Sequence, residues 1–177
     1  RLDAAAVFGP VERLLPPDAP RWLQRSGFLK DGPREVEMSW ERARTGNALV
    51  DGAWFYEHGL RFDSDFGRSG GEDAHLFGRI QALGGRLVSA PSAWVQEVCP
   101  PERARFGWLW WRAWNCGEIY ERLCRVFPSR RPPVARFLGR LGRSALFAAL
   151  GLGPLLVGRP EAFLGSLLGI ALAIGGA

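Results

Sequence analysis

Cysteine is scarce in this chain: Cys99, Cys116 and Cys124 are odd in number and show no paired spacing. That argues against a disulfide framework, and the lack of any CxxC or Cys/His pattern argues against zinc. Reduced thiols are the default. His58 and His75 share no metal-ligand spacing. No GxxxxGK[ST] phosphate loop, no GxGxxG after a strand, no HExxH and no GxSxG occurs, so hydrolase and dinucleotide readings have no footing. Lysine is nearly missing as well, since Lys30 is the single one among 23 basic residues. No internal repeat is visible. Long apolar runs are also lacking: Leu146 to Val157 and Ala162 to Ala177 each fall short of the roughly 20 residues that span a bilayer.

What is present is arginine, unevenly spread. Arginine makes planar, bidentate contacts with phosphates, although a high-GC coding bias produces the same composition. Between Glu121 and Glu161 stand eight arginines, Arg122 to Arg159, and no acid. The rest of the chain is slightly acidic, so the basic character belongs to one segment. Within it Arg130-Arg131-Pro132-Pro133 forms a stiff basic joint, and the two apolar stretches follow. Basic then apolar sequence points to an anionic membrane surface and away from nucleic acid. The apolar stretches are expected to form an interfacial or re-entrant pair, or a spanning helix cut off at Ala177; a buried helical hairpin is the competing expectation. The 177 residues suffice for one domain with a sizeable core. The chain opens on Arg1, which predicts a processed chain or a fragment.

Hydrophobic patterning gives an alternation of strands and helices. Ala4 to Phe8 reads as a buried strand ended by Gly9-Pro10. Asp18 is a candidate N-cap for a short helix from Pro20 to Arg25, and residues 26–35 read as loop. Val36 to Trp40 alternates as a half-exposed strand does. Thr45-Gly46-Asn47 turns into a strand over 48–50, Ala53 to His58 forms a helical turn, and residues 60–63 are extended. A helix over 72–83 ends at Gly84-Gly85. Strands follow over 86–89 and 93–98, and Pro100-Pro101 leads into a long tryptophan-rich helix from about Glu102 to Val126.

The chemistry-bearing stretch is Gly70-Gly71-Glu72-Asp73, immediately before the periodic residues Leu76, Phe77, Ile80 and Leu83. The spacing places both carboxylates in the first helical turn, where unpaired N–H groups and the helix dipole favour their ionised form. The glycines permit a sharp approach and leave room for a ligand. Such a carboxylate suits a general base, or else only stabilises its helix. His75 points away from Asp73 and reads as structural. Asn47 forms a turn or lines a cleft. Glu97 ends an otherwise apolar strand, as edge decoration or as a ligand at the strand's carboxyl end. Arg105 and Arg112, seven apart, share a helical face and reach an anion or solvent. The tryptophans pack in a core or form a membrane-interface belt.

The succession Val7-Phe8-Gly9-Pro10-Val11, Thr45-Gly46-Asn47, Leu60-Arg61-Phe62-Asp63, Gly70-Gly71-Glu72-Asp73 with Leu76-Phe77 and Arg79, Gly84 to Val88, Ala90-Pro91, Glu97 and Pro100 to Arg103, then Trp108-Leu109, Arg112 and Gly117, resembles the acceptor-side half of a family 2 glycosyltransferase. The similarity covers roughly residues 5–125 and is strongest to bacterial exopolysaccharide enzymes of the succinoglycan type. It implies an α/β fold: residues 1–127 as the C-terminal half of a Rossmann-like GT-A domain, and 128–177 as a basic joint with membrane-associated helices. It implies an inverting transfer of sugar from a nucleotide-diphosphate donor, such as a UDP-sugar, to a saccharide or lipid-linked acceptor. Asp73 would be the general base, Glu72, Gly70, Gly71 and Asn47 would meet the acceptor, and Arg103 and Arg112 would face the donor diphosphate. A divalent metal, Mg2+ or Mn2+, would be held mostly by an Asp-x-Asp site in a nucleotide-binding half upstream of Ala4. Glu97, where some branches carry a metal-binding His, is the tentative metal contact. Without that upstream half the chain is expected to be inactive by itself. The location implied is the cytoplasmic face of the bacterial inner membrane.

The competing expectation is a non-catalytic membrane-interaction protein whose basic, Trp-rich helices organise a lipid or partner complex. Nucleic acid binding is the least favoured, because the arginines are confined beside apolar sequence.

Overall fold

An apolar run that opens a chain must find neighbours, and Ala4 to Phe8 finds them on both sides. The computed structural model describes residues 3–26, 30–31, 36–67 and 69–128. The basic joint and the two apolar stretches, from residue 129 onward, lie outside the described residues, as does most of the loop expected over 26–35. In chain order the elements are β1 (Ala6–Phe8), β2 (Val11–Leu14), α1 (Arg21–Ser26), β3 (Lys30–Asp31), β4 (Ala48–Val50), α2 (Ala53–Tyr56), α3 (Glu72–Ala82), β5 (Leu87–Ser89), β6 (Val95–Val98) and α4 (Phe106–Cys124). Short 3₁₀ turns occupy Thr45–Asn47, Ser64–Phe66 and Pro101–Ala104. Among the described residues the fold class is mixed α/β, with two small sheets.

In the first sheet β1 is central, between β4 and β5. It runs antiparallel to β4, with Phe8 opposite Ala48, and parallel to β5, with Phe8 opposite Ser89. A parallel pair needs a crossover, and α3 leads directly into β5. In the second sheet β2 lies between β3 and β6, with Val11 opposite Asp31 and Gln96 donating to Glu12 at 3.0 Å.

The described residues divide into two units. The first draws on Arg1–Glu12, Lys30–Glu97 and Leu123–Phe127. Its core is the inner side of α3: Leu76, Phe77 and Ile80 are almost wholly buried. Burial of each such side chain stabilises the fold by roughly 1.5–3 kcal/mol. Phe77 meets Phe8 edge-on, with ring centroids 4.8 Å apart. Phe127 packs against Trp40 at 5.8 Å and His75 at 5.5 Å, and its ring lies over Gly78. A Cβ on Gly78 would stand 2.5 Å from that ring, so the absence of a side chain there is a packing requirement.

The second unit draws on Arg13–Leu29 and Val98–Arg122. Its core gathers Ala19, Leu23, Cys99, Ala104 and Leu109, with Phe106, Trp108 and Trp110 packed against them. The Cys99 amide donates to the Leu14 carbonyl at 2.9 Å, and the Arg103 guanidinium lies 5.7 Å over the Trp108 ring.

Several expectations change. The helix expected from Glu102 to Val126 is broken at Arg105, whose extended backbone (φ −111°, ψ 144°) separates a 3₁₀ turn from α4. Arg105 therefore does not share a helical face with Arg112. The strand expected over 36–40 shrinks to a single bridge, Glu37 to Val88, while Met38 and Trp40 are buried as the alternation implies. Leu83 is 55% exposed, because α3 ends at Ala82 and Leu83 has left the helical phase. Strand β2 has no counterpart in the hydrophobic pattern, because Glu12 and Arg13 mask its alternation. Among the described residues no helix is long and apolar enough to cross a membrane.

Two glycines on helices should respond in opposite directions to alanine. A Cβ added to Gly107 in α4 would meet nothing within 4 Å, so Gly107→Ala should raise stability by roughly 0.5–1 kcal/mol. Gly78→Ala forces Phe127 out of its place, and overpacking of about 1–3 kcal/mol outweighs the propensity gain. Urea midpoints of the two variants check this; a stabilised Gly78→Ala would contradict the packing.

Candidate active site

The carboxylate pair owes its position to the direction of α3, and two contacts fix that direction. Near its end the Gly85 amide donates to the Ile80 carbonyl at 2.9 Å, and the backbone carbonyl of Arg86, next in line, accepts at 2.8 Å from the amide of Ala5, the residue before β1. One turn earlier Phe77 lies on Phe8, the last residue of β1. Going back along α3 thus means going forward along β1, and the N-terminus of α3 points beyond the carboxyl ends of β1 and β5. Open α/β sheets place ligands at that edge.

The approach to α3 is held as firmly as the helix. Asp63 caps the 3₁₀ turn of Ser64–Phe66, its Oδ1 accepting from the Asp65 amide at 2.9 Å. The Gly70 amide donates to the Phe66 carbonyl at 2.8 Å. Phe66 is buried and stacks on His75, with centroids 4.7 Å apart and planes 23° from parallel. His75 Nδ1 also stands 3.7 Å from Asp63 Oδ2. One side chain of α3 thus ties down the loop that delivers Glu72 and Asp73. His75 is structural, as its position opposite Asp73 implies; its two partners, nine and twelve residues upstream, left no signal in the pattern.

Gly70 and Gly71 carry φ of 80° and 92°, the left-handed region that costs other residues roughly 1–2 kcal/mol. They turn the chain sharply so that Glu72 and Asp73 occupy the first turn of α3. Both carboxylates are half-buried. Asp73 Oδ1 accepts from the Ala74 amide at 2.7 Å, which satisfies a first-turn donor and orients the carboxylate. An oriented carboxylate at a sheet's carboxyl edge is placed to accept a proton from a bound hydroxyl.

Asn47 takes part differently. Its side-chain amide donates to the Pro10 carbonyl at 3.0 Å and the Ala93 carbonyl at 2.6 Å. Its own carbonyl accepts from Gly9 at 3.0 Å. Asn47 therefore braces the turns after β1 and β5 at the same carboxyl edge, and its amide hydrogens are committed to that brace. The structure brings Gly70, Gly71, Glu72 and Asp73 together. Glu97 is half-buried in β6. Arg103, in the 3₁₀ turn, and Arg112, in α4, are exposed residues of the second unit. Among the described residues no group of three or more His, Cys, Asp or Glu is placed to hold a metal ion. Among the described residues Glu97 thus offers a single carboxylate toward the Mg2+ or Mn2+ whose ligands are expected mostly upstream of Ala4.

The chain is 37% identical over 120 residues to the succinoglycan biosynthesis protein ExoM of Rhizobium meliloti (strain 1021), an alignment covering 68% of this chain and 39% of that protein. The chain thus spans about two fifths of the length of that relative. No family model matches the sequence, and no solved structure matches it.

The brace predicts an unusual order of effects at one position. Asn47→Asp keeps the shape but sets a carboxylate against two carbonyl oxygens, whereas Asn47→Ala only removes the donors. Asp should therefore destabilise more than Ala, by about 1–3 kcal/mol beyond it. Urea titration of both variants at neutral pH checks this; equal midpoints would show that the amide is not the brace.

Proposed function

We propose that the chain is the acceptor-side part of an inverting glycosyltransferase that builds a bacterial polysaccharide or glycolipid, with Asp73 as its general base. The observation that carries this reading is the placement of Asp73: half-buried, oriented by the Ala74 amide, on a helix whose N-terminus points past the carboxyl edge of β1 and β5. The relative's part in succinoglycan biosynthesis supports the substrate class, and the resemblance to family 2 glycosyltransferases supports inversion and a GT-A-type domain. By enzyme class this reading makes it a glycosyltransferase of EC group 2.4.

The chemistry asked of these residues is limited and balanced. A hydroxyl is a weak nucleophile until its proton is taken as the new bond forms. The acceptor oxygen attacks the anomeric carbon from the face opposite the leaving group, and its proton passes to Asp73. The bond from that carbon to the diphosphate oxygen breaks at the same time, and the diphosphate leaves with the electron pair. The configuration inverts because attack and departure occur on opposite faces. General-base assistance of this kind contributes about 10²–10⁴ in rate. Glu72 orients the acceptor, and the turn at Gly70 and Gly71 leaves space for it. Arg103 and Arg112 are the candidates for the diphosphate of a UDP-sugar, where guanidinium forks match phosphate oxygens.

The same reading puts the protein at the cytoplasmic face of the bacterial inner membrane. The arginine-rich segment from Arg122 to Arg159, with no acid among its residues, would be drawn to anionic headgroups at about 1 kcal/mol per arginine near the surface.

In the full-length protein, Asp73→Asn should lower kcat by at least about 10² while leaving sugar-nucleotide binding within about twofold. Glu72→Gln should act mainly on the KM for the acceptor. Transfer assays with a radiolabelled sugar nucleotide, paired with calorimetric donor titrations, check both; undiminished transfer by Asp73→Asn removes Asp73 from the base role. Saturation-transfer NMR with acceptor saccharides separates this reading from a purely membrane-organising protein, which presents no saccharide site around Asp73.

A further inference from the structure

Helix α4 sorts its four tryptophans into two pairs. Trp108 and Trp110 pack with Phe106 against the apolar cluster of the second unit. Trp111 and Trp114 do not: they are 57% and 38% exposed. The sorting follows from the helix itself. Leu109 and Ala113, four apart, are buried and define the packed side. Trp111 and Trp114, three apart, lie together on another side. Continuing the same ridge toward the end of α4 gives Glu118 and Arg122, both exposed, with the exposed Arg112 beside Trp111. Glu118 is the acid on this ridge, and its spacing four residues before Arg122 suits a helical ion pair.

Two exposed indoles side by side mark a surface that meets something. The charge of the chain says what. Arg122, at the end of the ridge, begins the stretch of eight arginines without an acid, and the two apolar runs Leu146 to Val157 and Ala162 to Ala177 lie within and after it. Indole rings prefer the headgroup level of a bilayer, where the ring body is apolar and the N–H stays wet. Guanidinium groups beside them meet lipid phosphates. An acidic protein surface would satisfy the arginines but not the rings. We infer that the Trp111–Trp114 ridge of α4 seats in the headgroup region of an anionic phospholipid bilayer, and so fixes which side of the second unit faces the membrane. The inference rests on the membrane reading of the basic segment and not on the transfer chemistry at Asp73.

The test uses the 177-residue chain with phosphatidylcholine vesicles containing about 30% phosphatidylglycerol. Co-sedimentation gives affinity, and brominated acyl chains report tryptophan depth by quenching. W111S/W114S should bind at least about tenfold more weakly and lose most of the quenching, whereas W111F/W114F should bind within about threefold of the parent. Far-UV circular dichroism of the serine variant should be unchanged, since both rings lie outside the core; Trp114→Ser alone, with about half the effect on quenching, serves if the double variant misfolds. Vesicle binding by W111S/W114S equal to the parent's, with equal quenching, overturns the ridge and leaves the basic segment as the membrane contact. Failure of the parent chain to bind anionic vesicles overturns both. A dimer of the parent that the serine variant dissolves, with vesicle binding untouched, assigns the ridge to a second copy and also overturns it.

Discussion

The seating of α3 governs the first unit. Its inner side offers Leu76, Phe77 and Ile80 to the core and, at Gly78, no side chain at all, so that the Phe127 ring packs directly against the helix. Ridge-like packing of this sort admits one rotation and one direction of the helix, because a slip of one residue would set His75 in the place of Leu76 and Arg79 in that of Ile80. With rotation and direction set, the first turn has no freedom either. Glu72 and Asp73 then stand at the carboxyl edge of β1 and β5.

The loop ahead of α3 is fixed from the helix side. His75 stacks on Phe66 and stands within 3.7 Å of Asp63, so the segment that could flex is anchored one turn past the carboxylates it delivers. Asn47 does comparable work for the turns after β1 and β5. A base that must meet a hydroxyl within hydrogen-bond distance gains from such support, since a misplacement of about 1 Å costs on the order of 10² in rate. The second unit follows a different logic: its helix spends one side on the apolar cluster and leaves indole and guanidinium groups on another.

The legible parts of the sequence were those in which a local signal and the fold agree. Strands β1, β4 and β5 and helix α3 stand within a residue or two of where patterning places them, and the glycines at 70 and 71 take the conformations that only glycine adopts freely. Disagreement appears where tertiary contacts overrule periodicity. Strand β2 carries Glu12 and Arg13 in succession, one on each face, which hides the apolar alternation, and only its pairing with β3 and β6 makes it a strand. Residues 36–40 alternate as a strand does, yet one bridge is all the ladder they form. At Arg105 an extended residue interrupts an otherwise helical composition, and no proline or glycine at that position announces the break.

Local chain chemistry was therefore enough to place two carboxylates in a helical first turn, to mark the glycines that deliver them and to confine the positive charge to one segment. Those features arise within a few residues, where backbone geometry and side-chain type act directly on one another. It took the closed structure to aim that turn past the carboxyl ends of β1 and β5, to commit the Asn47 amide to carbonyls 37 and 46 residues away, and to turn Trp111 and Trp114 outward while their neighbours pack. Each of these depends on which distant segments meet, and that is decided by the burial of the whole apolar set at once, not by any stretch alone.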